Sequence, residues 1–104
     1  MAIVEVSVVP IGTKTPSLSR YVAEAIRVLE KEGLNYELTS MGTIIEGDLD
    51  RILRVVGKMH QAAFNGEVLR VVTTIKIDDR RDKAATRESK VESVKEKLKR
   101  LNEK

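Results

Sequence analysis

The stretch Tyr36–Gly47, YELTSMGTIIEG, constrains the fold more than any other part of the chain. Tyr36, Glu37, Leu38 and Thr39 alternate apolar and polar, the period of a half-buried strand. Ser40, Met41 and Gly42 supply a turn, with Gly42 free to take a positive φ. Thr43, Ile44, Ile45 and Glu46 form a run rich in β-branched residues, ended by Gly47 and Asp48. A two-stranded hairpin is marginal in water by itself. The rest of the chain must therefore add strands and cover one face with helices.

In chain order, Ala2 to Val9 reads as a first strand, with Val4, Val6 and Val8 facing a core and Ile3, Glu5, Ser7 and Val9 facing away. Pro10 to Pro16 reads as a loop. A helix follows, capped by Thr15 or Ser17, with Pro16 near its first turn. Its apolar stripe is Leu18, Tyr21, Val22, Ala25, Ile26 and Leu29, and Gly33 ends it. After the hairpin, Asp48 or Asp50 caps a second helix that buries Leu49, Ile52, Leu53, Val56, Met59 and Ala63, with His60 at the margin. Gly57 in its middle points to close packing there. Asn65–Gly66 closes this helix. Glu67 to Ile77 reads as the last strand, followed by a charged connector, Asp78 to Lys83. A third helix, about 86–102, carries Val91, Val94, Leu98 and Leu101 at spacings of three and four, a narrow seam.

The order strand, helix, strand, strand, helix, strand gives an α+β ferredoxin-like βαββαβ sandwich: a four-stranded antiparallel sheet, two helices on one face, and an extra C-terminal helix. The length of 104 residues suits a single domain over 1–104. The sheet's second face is left bare. It should hold Glu5, Ser7, Glu37, Thr39, Arg70, Val72, Thr74 and Lys76, with one register of Thr43–Glu46. Such a face is either a subunit interface or a ligand site at one, since small-molecule pockets favour interfaces.

Composition removes several functions. The chain has no Cys and one His, so thiolate chemistry and His-rich metal sites are excluded. Charged residues are 34% of the chain but the net charge is only +3, against a concentrated nucleic-acid surface. RNA-binding sheets of this shape also stack bases on aromatics of their central strands. Here Tyr21, Tyr36 and Phe64 are the only aromatics, and none is on the first or last strand. No run is long and apolar enough for a membrane span, and the apolar start lacks a basic leader, so a cytoplasmic protein is expected. His60 reads as a satisfied helix histidine. Asp78, Asp79 and Asp82 alternate with Arg80, Arg81 and Lys83, the pattern of ion-paired surface rather than a metal cluster.

The ordered set VVPIGT (8–13), SLSRYVA (17–23), YEL (36–38), MGTIIEG (41–47) and RVVTTIKIDDRRDK (70–83) resembles the YkoF-like thiamine-binding protein family, formerly an uncharacterised protein family. The resemblance covers nearly the whole chain. It implies the ferredoxin-like fold, homodimers or homotetramers built through sheets, binding of thiamine or its hydroxymethylpyrimidine part, and no established enzymatic activity; no cofactor is expected. An aminopyrimidine needs acceptors such as Glu46 and hydroxyls such as Ser7, Thr39, Thr43 and Thr74. Met41 and Ile45 offer apolar contact to the ring, and Glu46 or Glu37 a carboxylate for the thiazolium cation. The alternative is a structural or regulatory interaction module without a small-molecule ligand. A third is an enzyme using Glu46 with Arg80 or Arg81 on an anionic substrate.

Overall fold

The computed structural model describes residues 1–15, 18–82 and 86–103. Its elements are β1 (Ala2–Ile11), α1 (Ser19–Glu32), β2 (Asn35–Leu38), β3 (Thr43–Gly47), α2 (Leu49–Ala62), β4 (Arg70–Asp78) and α3 (Arg87–Asn102). The strands form one antiparallel sheet in the order β2-β3-β1-β4. This is the ferredoxin-like α+β arrangement with one helix added.

The register sorts the side chains. Val6 lies opposite Thr43 and Ile75, and Val4 opposite Ile45 and Ile77. Residues directly opposite share a face, so these six point toward the helices. Val4, Val6, Ile45, Leu29, Ile52 and Met59 are almost fully buried and form the centre of the core. Ile3, Glu5, Ser7, Ile44, Glu46, Lys76 and Thr74 take the opposite, bare face. Ile75 and Ile77 are exposed although they face the helix side. They sit on the edge strand β4, outside the area the two helices cover.

The helices begin and end for identifiable reasons. Gly33 takes φ 70 after α1, and its N–H reaches the Glu30 carbonyl at 3.2 Å. Asp48 caps α2, its carboxylate accepting from the Arg51 N–H at 3.2 Å. Thr15 does not cap α1. The N-cap is Leu18, three residues further on, with no side-chain capping bond, while Pro16 and Ser17 lie outside the described residues.

Three further readings of the sequence need correction. In α2 the buried stripe is Ile52, Val55, Val56 and Met59, and Leu53 is exposed. At ~100° per residue, Leu53 sits about 100° around the helix from the centre of that stripe. Gly57 shares the outer side, with nothing within 4 Å of where a Cβ would stand, so it is not a packing glycine. Gly42 does not take a positive φ. Its role is clearance: a Cβ there would come within 3.0 Å of the Val6 carbonyl oxygen.

β1 also outruns its predicted end by two residues, passing through Pro10 to Ile11. β4 follows it to the end, pairing Pro10 with Val71 and Ile11 with Arg70. β3 does not, because its pairing with β1 stops at Val6. From Ser7 onward β1 therefore has a free edge on the β3 side.

Candidate functional site

Polar side chains gather at two places on the hairpin, at opposite ends of β3. At the first, Asn35 lies opposite Glu46 and Glu37 opposite Ile44, which places Asn35, Glu37 and Glu46 side by side on the bare face. α3 starts directly above them. Thr86 and Ser89 make a reciprocal capping box that fixes its first turn. The Arg87 N–H donates to Glu46 Oε1 at 2.5 Å. Its guanidinium donates to Glu37 Oε2 at 3.0 Å and to Asn35 Oδ1 at 3.2 Å. Arg87 Nη1 lies 3.2 Å from Glu46 Oε2, an ion contact off the axis of a hydrogen bond. Glu46 is only 7% exposed. Its charge is matched by that guanidinium and by the positive end of α3. Sequence reading missed Arg87. The available signal was Thr86 three residues before Ser89, which marks a helix start and puts Arg87 in the first turn.

At the other end, the β2–β3 turn, the free edge of β1, α1 and Met59 of α2 enclose a cleft of about 340 Å³. That volume lies within the range of small-ligand pockets, which are mostly apolar with a few placed polar groups. Leu18, Val22, Ala25 and Ile26 of α1 form its apolar wall. Its β1 side is Val6, Ser7, Val8 and Val9 in succession. Consecutive residues point to alternate faces, so a cleft touching all four runs along the strand edge. Thr43 is 4% exposed and its side chain makes no hydrogen bond among the described residues. The turn holds its own shape. Thr39 Oγ1 donates to the Gly42 carbonyl at 2.8 Å and accepts the Gly42 N–H at 3.1 Å and the Met41 N–H at 3.3 Å. None of the described residues lining the cleft is ionisable.

The eight residues expected to bind ligand thus divide. Ser7, Thr39, Met41 and Thr43 come together on the cleft. Glu37 and Glu46 are held by Arg87. Thr74 is on the bare face opposite Ser7 on β1. Ile45 is fully buried in the core. The other candidates are occupied. His60 Nδ1 is 2.6 Å from Thr73 Oγ1 and its ring meets Phe64 edge-on, so it is tied to β4. Arg80 pairs with Asp82 and Arg81 with Asp79, which holds the Asp79 carboxyl below its usual range. Lys83 lies outside the described residues. Among the described residues no group of acidic or His side chains is placed to hold a metal ion. None of their helices is long and apolar enough to cross a membrane.

The sequence profile of the thiamine-binding proteins matches residues 4–95. The chain belongs to the thiamine-binding protein family. Among members, the UPF0045 protein YqgV of Bacillus subtilis is 51% identical over 98 residues, covering 90% of this chain and 94% of YqgV. The crystal structure of MJ1052 from Methanocaldococcus jannaschii superposes with a TM-score of 0.83 at 44% identity, over 91% of this chain and 96% of that one. A proposed thiamine biosynthesis/salvage protein of Thermotoga maritima, TM0486, superposes with a TM-score of 0.74 at 25% identity, over 89% of this chain and 97% of that one. The family name indicates binding, and none of these names indicates an enzymatic activity.

Proposed function

We propose that this chain binds thiamine or its hydroxymethylpyrimidine part, without catalysis, in the cleft between α1, the β2–β3 turn and the free edge of β1. The observation that carries the reading is Thr43. Its side chain lines an apolar cleft in a chain of a thiamine-binding family, and its hydroxyl makes no hydrogen bond among the described residues. A hydroxyl on the wall of an apolar cleft can donate to or accept from a polar ligand atom and so orient the ligand. Glu37 and Glu46 support the same placement by default, since Arg87 already engages both. Calorimetry with thiamine and hydroxymethylpyrimidine tests the reading. Binding is expected, with affinity about tenfold weaker in Thr43→Val, which keeps the shape and removes one hydrogen bond. No heat and no thermal stabilisation at millimolar concentrations of either compound would overturn it.

The same reading includes a homo-oligomer in the cytoplasm. Val91, Val94, Leu98 and Leu101 of α3 are all more than half exposed. None of α3 is buried, and the molecule reaches 56 Å along its longest axis. A helix of 16 residues with so little cover is marginal in water. A second copy supplies both a helix seam and a bare sheet to meet it. Sedimentation of the wild type against Val94→Ser/Leu98→Ser tests this, the wild type being expected as dimer or tetramer and the variant as monomer. A monomeric wild type that still binds the vitamin would overturn the assembly and keep the ligand.

A further inference from the structure

We propose that the ligand is selected by the backbone of β1, with the Val8 N–H and C=O reading the amine and adjacent ring nitrogen of an aminopyrimidine. This rests on the cleft reading and adds what decides between rings.

The direction of the Val8 groups follows from two independent observations. The first is Gly42, whose missing Cβ would lie 3.0 Å from the Val6 carbonyl oxygen. The Val6 carbonyl therefore faces the β3 side. Along an antiparallel strand, a residue's N–H and C=O point to the same side, and residues two apart agree. Val8 and Pro10 then face that side too. The second observation is Pro10 itself, paired with Val71 inside β1. Proline has no N–H to donate and is tolerated in a strand only where none is required. Its nitrogen faces the side where β3 has ended.

Between these two residues the edge changes character. Val6 is paired with Thr43, and Pro10 has no donor. Val8 is thus the one residue on this stretch of edge that offers both a donor and an acceptor to the cleft it lines. The hydroxyl of Thr39 is spent within the turn, so it does not compete for them. A donor and an acceptor on one residue match an amine beside a ring nitrogen, as a neighbouring strand would. Val22 and Ile26 of α1 provide an apolar wall for the ring.

The test compares hydroxymethylpyrimidine with its desamino analogue by calorimetry on the full chain, and repeats both with Val8→Pro. The Val8 nitrogen faces away from β4, so proline leaves the β1–β4 ladder intact, as Pro10 does. The expected result is about a tenfold or greater preference for the amine in the wild type, from one hydrogen bond lost and one group left unpaired. Val8→Pro should weaken the amine compound and shrink the preference. Equal binding of the two pyrimidines by the wild type overturns the edge proposal and leaves the cleft reading standing. Failure of both pyrimidines and of thiamine to bind overturns the cleft reading and this one together. Should Val8→Pro fold poorly, the wild-type comparison of the two ligands still decides.

Discussion

The two polar ends of β3 are built from similar materials and reach opposite outcomes. At the Glu46 end, two carboxylates and an amide are met by one arginine that α3 brings across. At the Thr43 end, no described residue hydrogen-bonds the Thr43 hydroxyl, and the pairing of β3 with β1 has ended. Both places interrupt an otherwise apolar hairpin. Burying polar groups is costly unless they are paired. The first place offsets most of that cost within the chain and is architecture, with only Arg87 Nη1 left off a hydrogen-bond axis. The second leaves a hydroxyl and a strand edge on the wall of a cleft, within reach of a ligand. The difference shows why polarity alone does not mark a candidate site: the polar groups must also stay within reach of a ligand.

The largest test breaks the closed end. Arg87→Met should cost about 3 kcal/mol in stability by chemical denaturation, because Glu46 keeps its burial and loses its partner. Adding Glu46→Gln should recover a good part of the loss, since the unpaired charge goes with it. Vitamin affinity should be unchanged in both, the cleft being at the far end of β3. A fall in affinity with little change in stability would reverse the assignment of the two ends.

A smaller effect comes from the open end. Gly42→Ala brings a methyl against the Val6 carbonyl, and the neighbour is backbone, which yields less readily than a side chain. About 1 kcal/mol of destabilisation is expected, in the range of overpacking. Ligand affinity should fall as well, because the β2–β3 turn and the Val6–Val9 edge form opposite sides of one cleft. Loss of stability with affinity intact would show that the turn does not shape the site.

The fold was legible because its signals are periodic. Alternation in β1 and β4 and the three-and-four spacing in α1 each name a face without outside help. The stripe of α2 was displaced only where Leu53 and Val55 both fit a helical period and packing had to choose. The candidate site was legible in part. Ser7, Thr39, Met41 and Thr43 meet on the cleft, although alternation alone could not show that Thr43 turns inward while Glu46 turns out. The remainder depends on long-range facts. Arg87 reaches Glu46 across 41 positions of sequence, and no local pattern ties them. The free edge of β1 exists because β3 stops early, and a strand's length is the least certain thing its sequence states. Pro10 looked like the start of a loop. In the sheet it marks the side with no partner.

The smallest predicted effect concerns pH, and it separates the two ends without a mutation. No described residue lining the cleft is ionisable, so vitamin affinity should vary by less than about twofold between roughly pH 6 and pH 8. Stability should respond on the acid side. Lys58 hydrogen-bonds the Glu32 carboxylate at 2.6 Å and holds its pKa below the ordinary 4.5. Arg81 lowers that of Asp79 in the same way. A carboxyl with a lowered folded pKa favours the native state above its ordinary value, and that contribution is lost as pH falls through the folded one. Both pairs are exposed, so the loss is modest and salt weakens it further. An affinity that followed the carboxylate titration would bring an acidic side chain into the binding event and return Glu37 or Glu46 to the site. A flat profile between roughly pH 6 and pH 8 shows that no group titrating near neutrality takes part in binding, as recognition by the hydroxyl and the strand edge requires.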